Sequence, residues 1–147
     1  VSRVKLKFPD DNPLFTATIS VRIGDINYGG HVGNDAVLSF IHEARMQMLR
    51  SWGFTELNAG GNSLIMGDVM IAYKGESFYG DELSIAMYVN EITGNSFDIM
   101  YHITTVRDGI KKDIAHAKTG MVCFDYETRK IAELQEALQM RLERMVL

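Results

Sequence analysis

This chain of 147 residues has a single cysteine, Cys123, so it can build neither an intrachain disulfide nor a thiolate metal cage, a usage that suits a reducing compartment. Surplus positive charge is also absent. Lys and Arg number 15 against 19 Asp and Glu, a formal charge of −4, which argues against nonspecific binding to nucleic acid because phosphate contacts need a basic surface. No apolar run approaches the roughly 18 residues that would span a membrane, and residues 1–20 lack the apolar core of a signal peptide, so a cytoplasmic location is expected. The four histidines, His31, His42, His102 and His116, show no metal-site spacing, and no metal or organic cofactor is expected. Repeats and low-complexity tracts are missing too. What remains is one domain's worth of chain, residues 1–147, with the 46% apolar and 23% charged content of a globular protein.

Chemistry is concentrated in one stretch, residues 22–45, where a polar, glycine-rich loop runs straight into an amphipathic helix. Asp25, Asn27 and His31 crowd together, and Gly29, Gly30 and Gly33 remove side chains that would hold a ligand away from the backbone. Asn34 is the expected N-cap, and Asp35 adds negative charge where the helix dipole favours it. Val37, Ile41, Ala44 and Met48 then recur at helical spacing as one buried stripe, widened by Phe40. Glu43 flanks that stripe. From there a carboxylate can point into a cleft beside the helix start, whose free amides suit an oxyanion or a polarised carbonyl. The competing reading is an ordinary ion pair of Glu43 with His42, Arg45 or Arg50.

The rest of the chain reads as strands and one more helix. Asn12-Pro13 marks a boundary, and the Thr-, Ile- and Val-rich run from Phe15 to Ile23 is a first strand that delivers the loop. Gly53 stops the helix, and residues 58–62 form a flexible, glycine-rich connection. Leu64 to Tyr73 is apolar on both faces, as expected of a strand buried under the helix, although Asp68 interrupts it and is a secondary catalytic candidate. Met66 and Met70 are candidates to line an adaptable channel. Leu83 to Asn90 and Phe97 to Ile103 alternate with period two, Gly94-Asn95 and Asp108-Gly109 turn the chain, and Ile114 to Phe124 completes a meander. His102 and His116 fall in these strands and are read as structural. From Arg129 the pattern becomes helical, with Leu134, Leu138, Leu142 and Met145 on one stripe. The order strand, long helix, four strands, helix predicts an α+β fold with an antiparallel sheet curled around the first helix.

Gly-Asp-Ile-Asn-Tyr-Gly-Gly-His-Val-Gly-Asn at 24–34, followed by Glu-Ala-Arg at 43–45, resembles the acyl-CoA and acyl-ACP thioesterases of the hot-dog fold, the 4-hydroxybenzoyl-CoA thioesterase-like group. Residues 72–83 are similar to that family's second recurrent stretch, a strand leaving the core, a polar link and a tight turn at Gly80-Asp81. Together the likeness covers about residues 15–125. It implies the hot-dog fold, hydrolysis of an acyl-CoA or acyl-ACP thioester, and a homodimer or homotetramer with the site between subunits. One departure stands out. The family commonly carries an Asp as base or nucleophile four residues before the loop His, and here that residue is Asn27, which can hydrogen-bond but neither accept a proton as a carboxylate does nor attack.

Glu43 is therefore the expected base, with His31 positioning the thioester carbonyl, Asn27 shaping the loop through an Asx-type bond, and Asp25 beside it on the same face of an extended chain. Tyr28, Gly29 and Gly30 are assigned to contact substrate. Two alternatives are carried forward: a hot-dog hydratase or dehydratase, and a non-catalytic acyl-CoA binding module that has lost the usual acid.

Overall fold

Alternating apolar residues in the middle of the chain produce a meander of three long strands, β3 (Glu82–Asn90), β4 (Ser96–Arg107) and β5 (Ile110–Asp125). Leu83, Ile85 and Met87, then Phe97, Ile99, Tyr101 and Ile103, are 0–2% exposed, so each period-two pattern marks one buried face. Asp108 and Gly109, both at positive φ (54° and 74°), form the tight β4–β5 hairpin. The computed structural model describes residues 1–144. In it the sheet is completed by β1 (Phe15–Ser20) on one edge and β2 (Ser63–Tyr73) on the other, in the antiparallel order β1-β3-β4-β5-β2, with a short β6 (Lys130–Ile131) pairing with β5.

Helix α1 (Asn34–Ser51) lies in the curl of this sheet. Val37, Phe40, Ile41, Ala44, Met48 and Leu49 join the strand residues in one core cluster. Full burial of such side chains stabilises by roughly 1.5–3 kcal/mol each for the larger ones, which is why the helix is held by its apolar stripe. Gly53, at φ 81°, ends it as expected. At the other end Gly33, not Asn34, is the N-cap. Gly33 is extended (φ −70°, ψ 151°) while Asn34 is already helical, and no side chain caps the turn.

Four further expectations are corrected. The first strand stops at Ser20, because Arg22 to Asp25 close a 3-10 turn in which Asp25 Oδ2 accepts from the Arg22 amide at 2.8 Å. Strand β2 is not buried under the helix: it is an edge strand, with Met66, Val69 and Tyr73 each about 40% exposed (41%, 39% and 45%). The chain after Arg129 does not begin a helix. Hydrogen bonds from Ala132 to Cys123 and from Leu134 to Gly94 hold it extended, and α2 runs only from Glu136 to Leu142. Leu134, Leu138 and Leu142 are nonetheless all buried, while Met145 lies outside the described residues. The connection at 58–62, expected to be flexible, is stitched down by Gly61 to Asn58 Oδ1 (2.9 Å), Ala59 to Asn62 O (2.8 Å) and Asn62 Nδ2 to Glu133 O (2.7 Å).

Candidate active site

The loop between β1 and α1 is a small, closed structure. Ile26 and Val32 form an isolated antiparallel bridge, the Asn27 amide donates to His31 O (2.9 Å) and the Gly30 amide to Asn27 O (3.1 Å). Gly30 sits at φ 82°, a region that favours glycine. Asn27 Oδ1 accepts from the Gly29 amide at 2.9 Å, an Asx-type bond that shapes the turn. A Cβ on Gly29 would lie 3.2 Å from Asn27 Oδ1 and 3.4 Å from His31 Nε2, so the amide oxygen and the imidazole flank that glycine.

His31 Nδ1 lies 3.0 Å from Val32 O. A carbonyl only accepts, so the contact fixes the proton on Nδ1 and leaves Nε2 of the neutral ring as a lone-pair acceptor. That refines its expected role. An unprotonated Nε2 cannot donate to a thioester carbonyl, but it can hold a water.

The ring lines a cavity of about 270 Å³ together with Asn34, Val37, Tyr73, Lys74 and Ser77 among others. Asn34 and Asp35 open α1, where helix geometry gives their amides no partner. Tyr73 donates to Asn34 O at 3.0 Å, tying the end of β2 to the helix start. A larger cavity of about 500 Å³ follows along the same helix, lined by Leu38, His42, Arg45, Glu56, Leu64 and Met66 among others. Met66 thus borders a channel-like space, whereas Met70 borders neither cavity.

The second motif braces the first, a role not legible before the fold was known. Val32 donates to Ser77 O (2.8 Å) and Val21 to Asp81 O (2.9 Å), so residues 74–81 form the wall against which the loop is built. Gly75 is required there, since a Cβ would come within 2.5 Å of Asp113 O. Asp81 accepts from Arg107 Nη2 (2.6 Å), the Phe78 amide (2.9 Å) and Ser77 Oγ (3.0 Å). Burial alone would raise its pKa, but Arg107, then the amide and the hydroxyl, outweigh it and hold the carboxyl below its ordinary value. A depressed folded pKa contributes stability that is complete above the unfolded value and lost as pH falls through the folded one. Asp81→Asn is therefore expected to be destabilised at neutral pH and to converge with the parent chain below about pH 4 in urea titrations; a constant gap across that range would count against this reading.

Not every expected residue joins the loop. Asp25 does not share a face with Asn27, because its carboxylate folds back onto Arg22. Tyr28 is fully exposed, and Gly29 and Gly30 are exposed beside it. Asp68 sits on β2 at a bulge after Met66, chelating Lys118 Nζ at 2.9 Å through both oxygens and accepting from the Gly120 amide at 2.9 Å. The Lys118 hydrogen bond lowers its pKa, so it is a paired carboxylate on the outer face of the sheet. Glu43 is exposed and unpaired among the described residues. Two of its three expected partners turn elsewhere: His42 (2.6 Å) and Arg45 (3.3 Å) both bind Glu56. Nine residues of helix place Glu43 roughly 13 Å along the axis from Asn34, beyond reach of its own loop.

The sequence profile of the thioesterase-like superfamily matches residues 21–142, from the loop through α2. The chain belongs to that superfamily. It is 30% identical over 129 residues to the long-chain acyl-CoA thioesterase FadM of Escherichia coli, an alignment that covers 87% of this chain and 96% of that one. A 1,4-dihydroxy-2-naphthoyl-CoA thioesterase from Synechocystis superposes with a TM-score of 0.77 at 24% identity, over 87% of this chain and 94% of that one. A Staphylococcus aureus protein solved in complex with CoA superposes with a TM-score of 0.78 at 15% identity, over 96% and 91% of the two chains. The hot-dog fold and a thioester hydrolase activity follow for this member of the superfamily. No described helix is long and apolar enough to cross a membrane.

Proposed function

We propose that this thioesterase hydrolyses fatty acyl-CoA in the cytoplasm, with the thioester carbonyl at the start of α1 and the acyl chain along the trough between α1 and β2. One observation carries the reading: His31, whose Nδ1 lies 3.0 Å from Val32 O, lines a cavity together with the first helical residue, Asn34, and with Lys74. Amides at the helix start stabilise the oxyanion as water attacks, Nε2 of His31 orients that water, and a carboxylate takes its proton. Leu38, Leu64 and Met66 offer the acyl chain an apolar wall. Asn27 and Asp25 act as loop formers, with Tyr28, Gly29 and Gly30 at the rim against the CoA arm.

The base in this reading is Glu43 of a second copy. Edge strand β2 pairs only with β5 among the described residues, and its eleven residues leave a row of backbone groups and apolar side chains open, an edge that natural proteins cover. Pairing with a second copy would continue the sheet and bring the outward face of one α1, where Glu43 is the sole carboxylate past the first turn, toward the other protomer's loop. Light scattering at micromolar concentration is expected to give a dimer or tetramer. A species of 16.5 kDa alone would remove the base from the site.

The function is tested by following thiol release across acyl-CoA chain lengths and with acyl-ACP. Turnover rising with chain length supports the trough assignment. An absorbance change on enoyl-CoA without thiol release would favour the hydratase alternative, and tight binding of acyl-CoA without turnover the binding module.

A further inference from the structure

Outside the site, the outer face of the sheet holds a group of side chains that the hydrolase does not use. His102 on β4 and His116 on β5 are directly opposed in the antiparallel register, and Asp113 precedes His116 by three residues. Between Ile103 and Thr104 the register shifts, which turns the Asp113 carboxylate toward both rings. His102 Nε2 lies 3.1 Å from Asp113 Oδ1 and His116 Nε2 lies 2.8 Å from Asp113 Oδ2. One ligand atom from each of the three residues falls within 4.8 Å of the other two.

We propose that His102, Asp113 and His116 form a binding site for a divalent transition-metal ion, zinc being the test ion. The ligand set fits the chemistry. Two imidazoles and a carboxylate are the donors that zinc, nickel and cobalt take, and three protein ligands leave a fourth position for water. In a tetrahedral zinc site with metal–ligand bonds of about 2.0 Å the ligand atoms stand about 3.3 Å apart. The histidine–carboxylate separations, 3.1 Å to Oδ1 and 2.8 Å to Oδ2, are slightly shorter than that value and the three ligand atoms lie within 4.8 Å of one another, so small side-chain rotations that open the two short contacts and draw the rings together admit the ion.

The setting is built rather than incidental. Phe8 from the N-terminal segment stacks on His102 (4.9 Å between centroids, 15°) and meets His116 edge-on (5.1 Å, 85°), so both rings are held from outside as well as by the sheet. The side chains of His102 and His116 are 30% and 17% exposed. An ion here would fasten β4 to β5 and be felt as stability rather than as catalysis.

The test is titration of EDTA-stripped protein with zinc by calorimetry, with Co²⁺ as a spectroscopic substitute. One zinc per chain at micromolar affinity, a raised melting temperature and visible d–d bands of a low-symmetry cobalt complex are expected, independently of hydrolase activity. His116→Ala and, as a shape-preserving variant, Asp113→Asn should each weaken zinc binding at least about tenfold and abolish the cobalt bands. Absence of zinc binding by the folded parent chain, or affinity unchanged in both variants, would overturn the proposal.

Discussion

Glu43→Gln is expected to lower kcat at least about 100-fold while KM for acyl-CoA stays nearly constant, because the substitution keeps the side-chain shape and removes the ionisable group. Stability should hardly change, since Glu43 is exposed and makes no described hydrogen bond or ion pair. The comparison with His31→Ala is informative. If Glu43→Gln keeps full activity and His31→Ala loses it, then Nε2 of His31 is the base, and no carboxylate from a second copy is needed. Asn27→Asp adds a second diagnostic. Its oxygen already accepts from the Gly29 amide, so a carboxylate fits the same turn, and it would restore the acid that the family commonly carries there. Partial rescue of Glu43→Gln by Asn27→Asp is the expected result, limited by repulsion between the new charge and the developing oxyanion.

The largest stability effect is expected at Arg45. Its side chain is 5% exposed, donating from Nη1 to the Tyr101 hydroxyl (3.1 Å) and from Nε to Glu56 (3.3 Å), while Tyr101 reaches on to Thr119 Oγ1 (2.7 Å). Burial, against the pull of Arg45, raises the Tyr101 pKa and keeps the phenol neutral. The chain of bonds crosses from α1 through the core to β4 and β5. Removing one partner of a buried pair strands the others, so Arg45→Ala should cost about 3 kcal/mol and lower the melting temperature by roughly 10 °C. Arg45→Met should cost clearly less, because it fills the volume and leaves the Tyr101–Thr119 bond in place. A loss below about 1 kcal/mol for Arg45→Ala, the worth of an exposed pair, would show that the network carries no weight.

What could be read from the sequence follows from which faces are buried. Strands β3, β4 and β5 alternate because each has one face on α1, and Val37, Ile41, Ala44 and Met48 mark the helix for the same reason. Strand β2 misleads because an apolar composition looks the same whether it is covered by the chain's own helix or left at an edge. Leu134 and Leu138 are spaced like one helix, yet the first is buried from an extended segment, and spacing alone cannot distinguish the two. Within the loop, the glycines and His31 point to a turn at a helix start, but Asp25 is claimed by Arg22 through a 3-10 turn that leaves no periodic trace. Arg45 was legible only as part of a motif; its depth depends on Tyr101, fifty-six residues on. The pair His102 and His116 is invisible to ligand-spacing rules because cross-strand register, not sequence distance, brings the rings together.

The strand order has a consequence for time as well as shape. The middle of the sheet is made from consecutive strands joined by short turns, whereas each edge is closed by a distant segment, Phe15 opposite Met87 and Leu64 opposite Cys123. Local pairings form before those that must close long loops, so the meander is the natural early structure and β1 and β2 are the latecomers. The candidate site hangs from these two: the His31 loop follows β1, and the wall that braces it follows β2. In the single chain, before a second copy covers β2, edges also open at lower free energy than the centre, so there the loop and its wall belong to the part of the molecule that exchanges its amides first. Catalytic competence is thus the last property the single chain acquires on folding and, until a second copy closes the β2 edge, the first it gives up, well before the hydrophobic interior is breached.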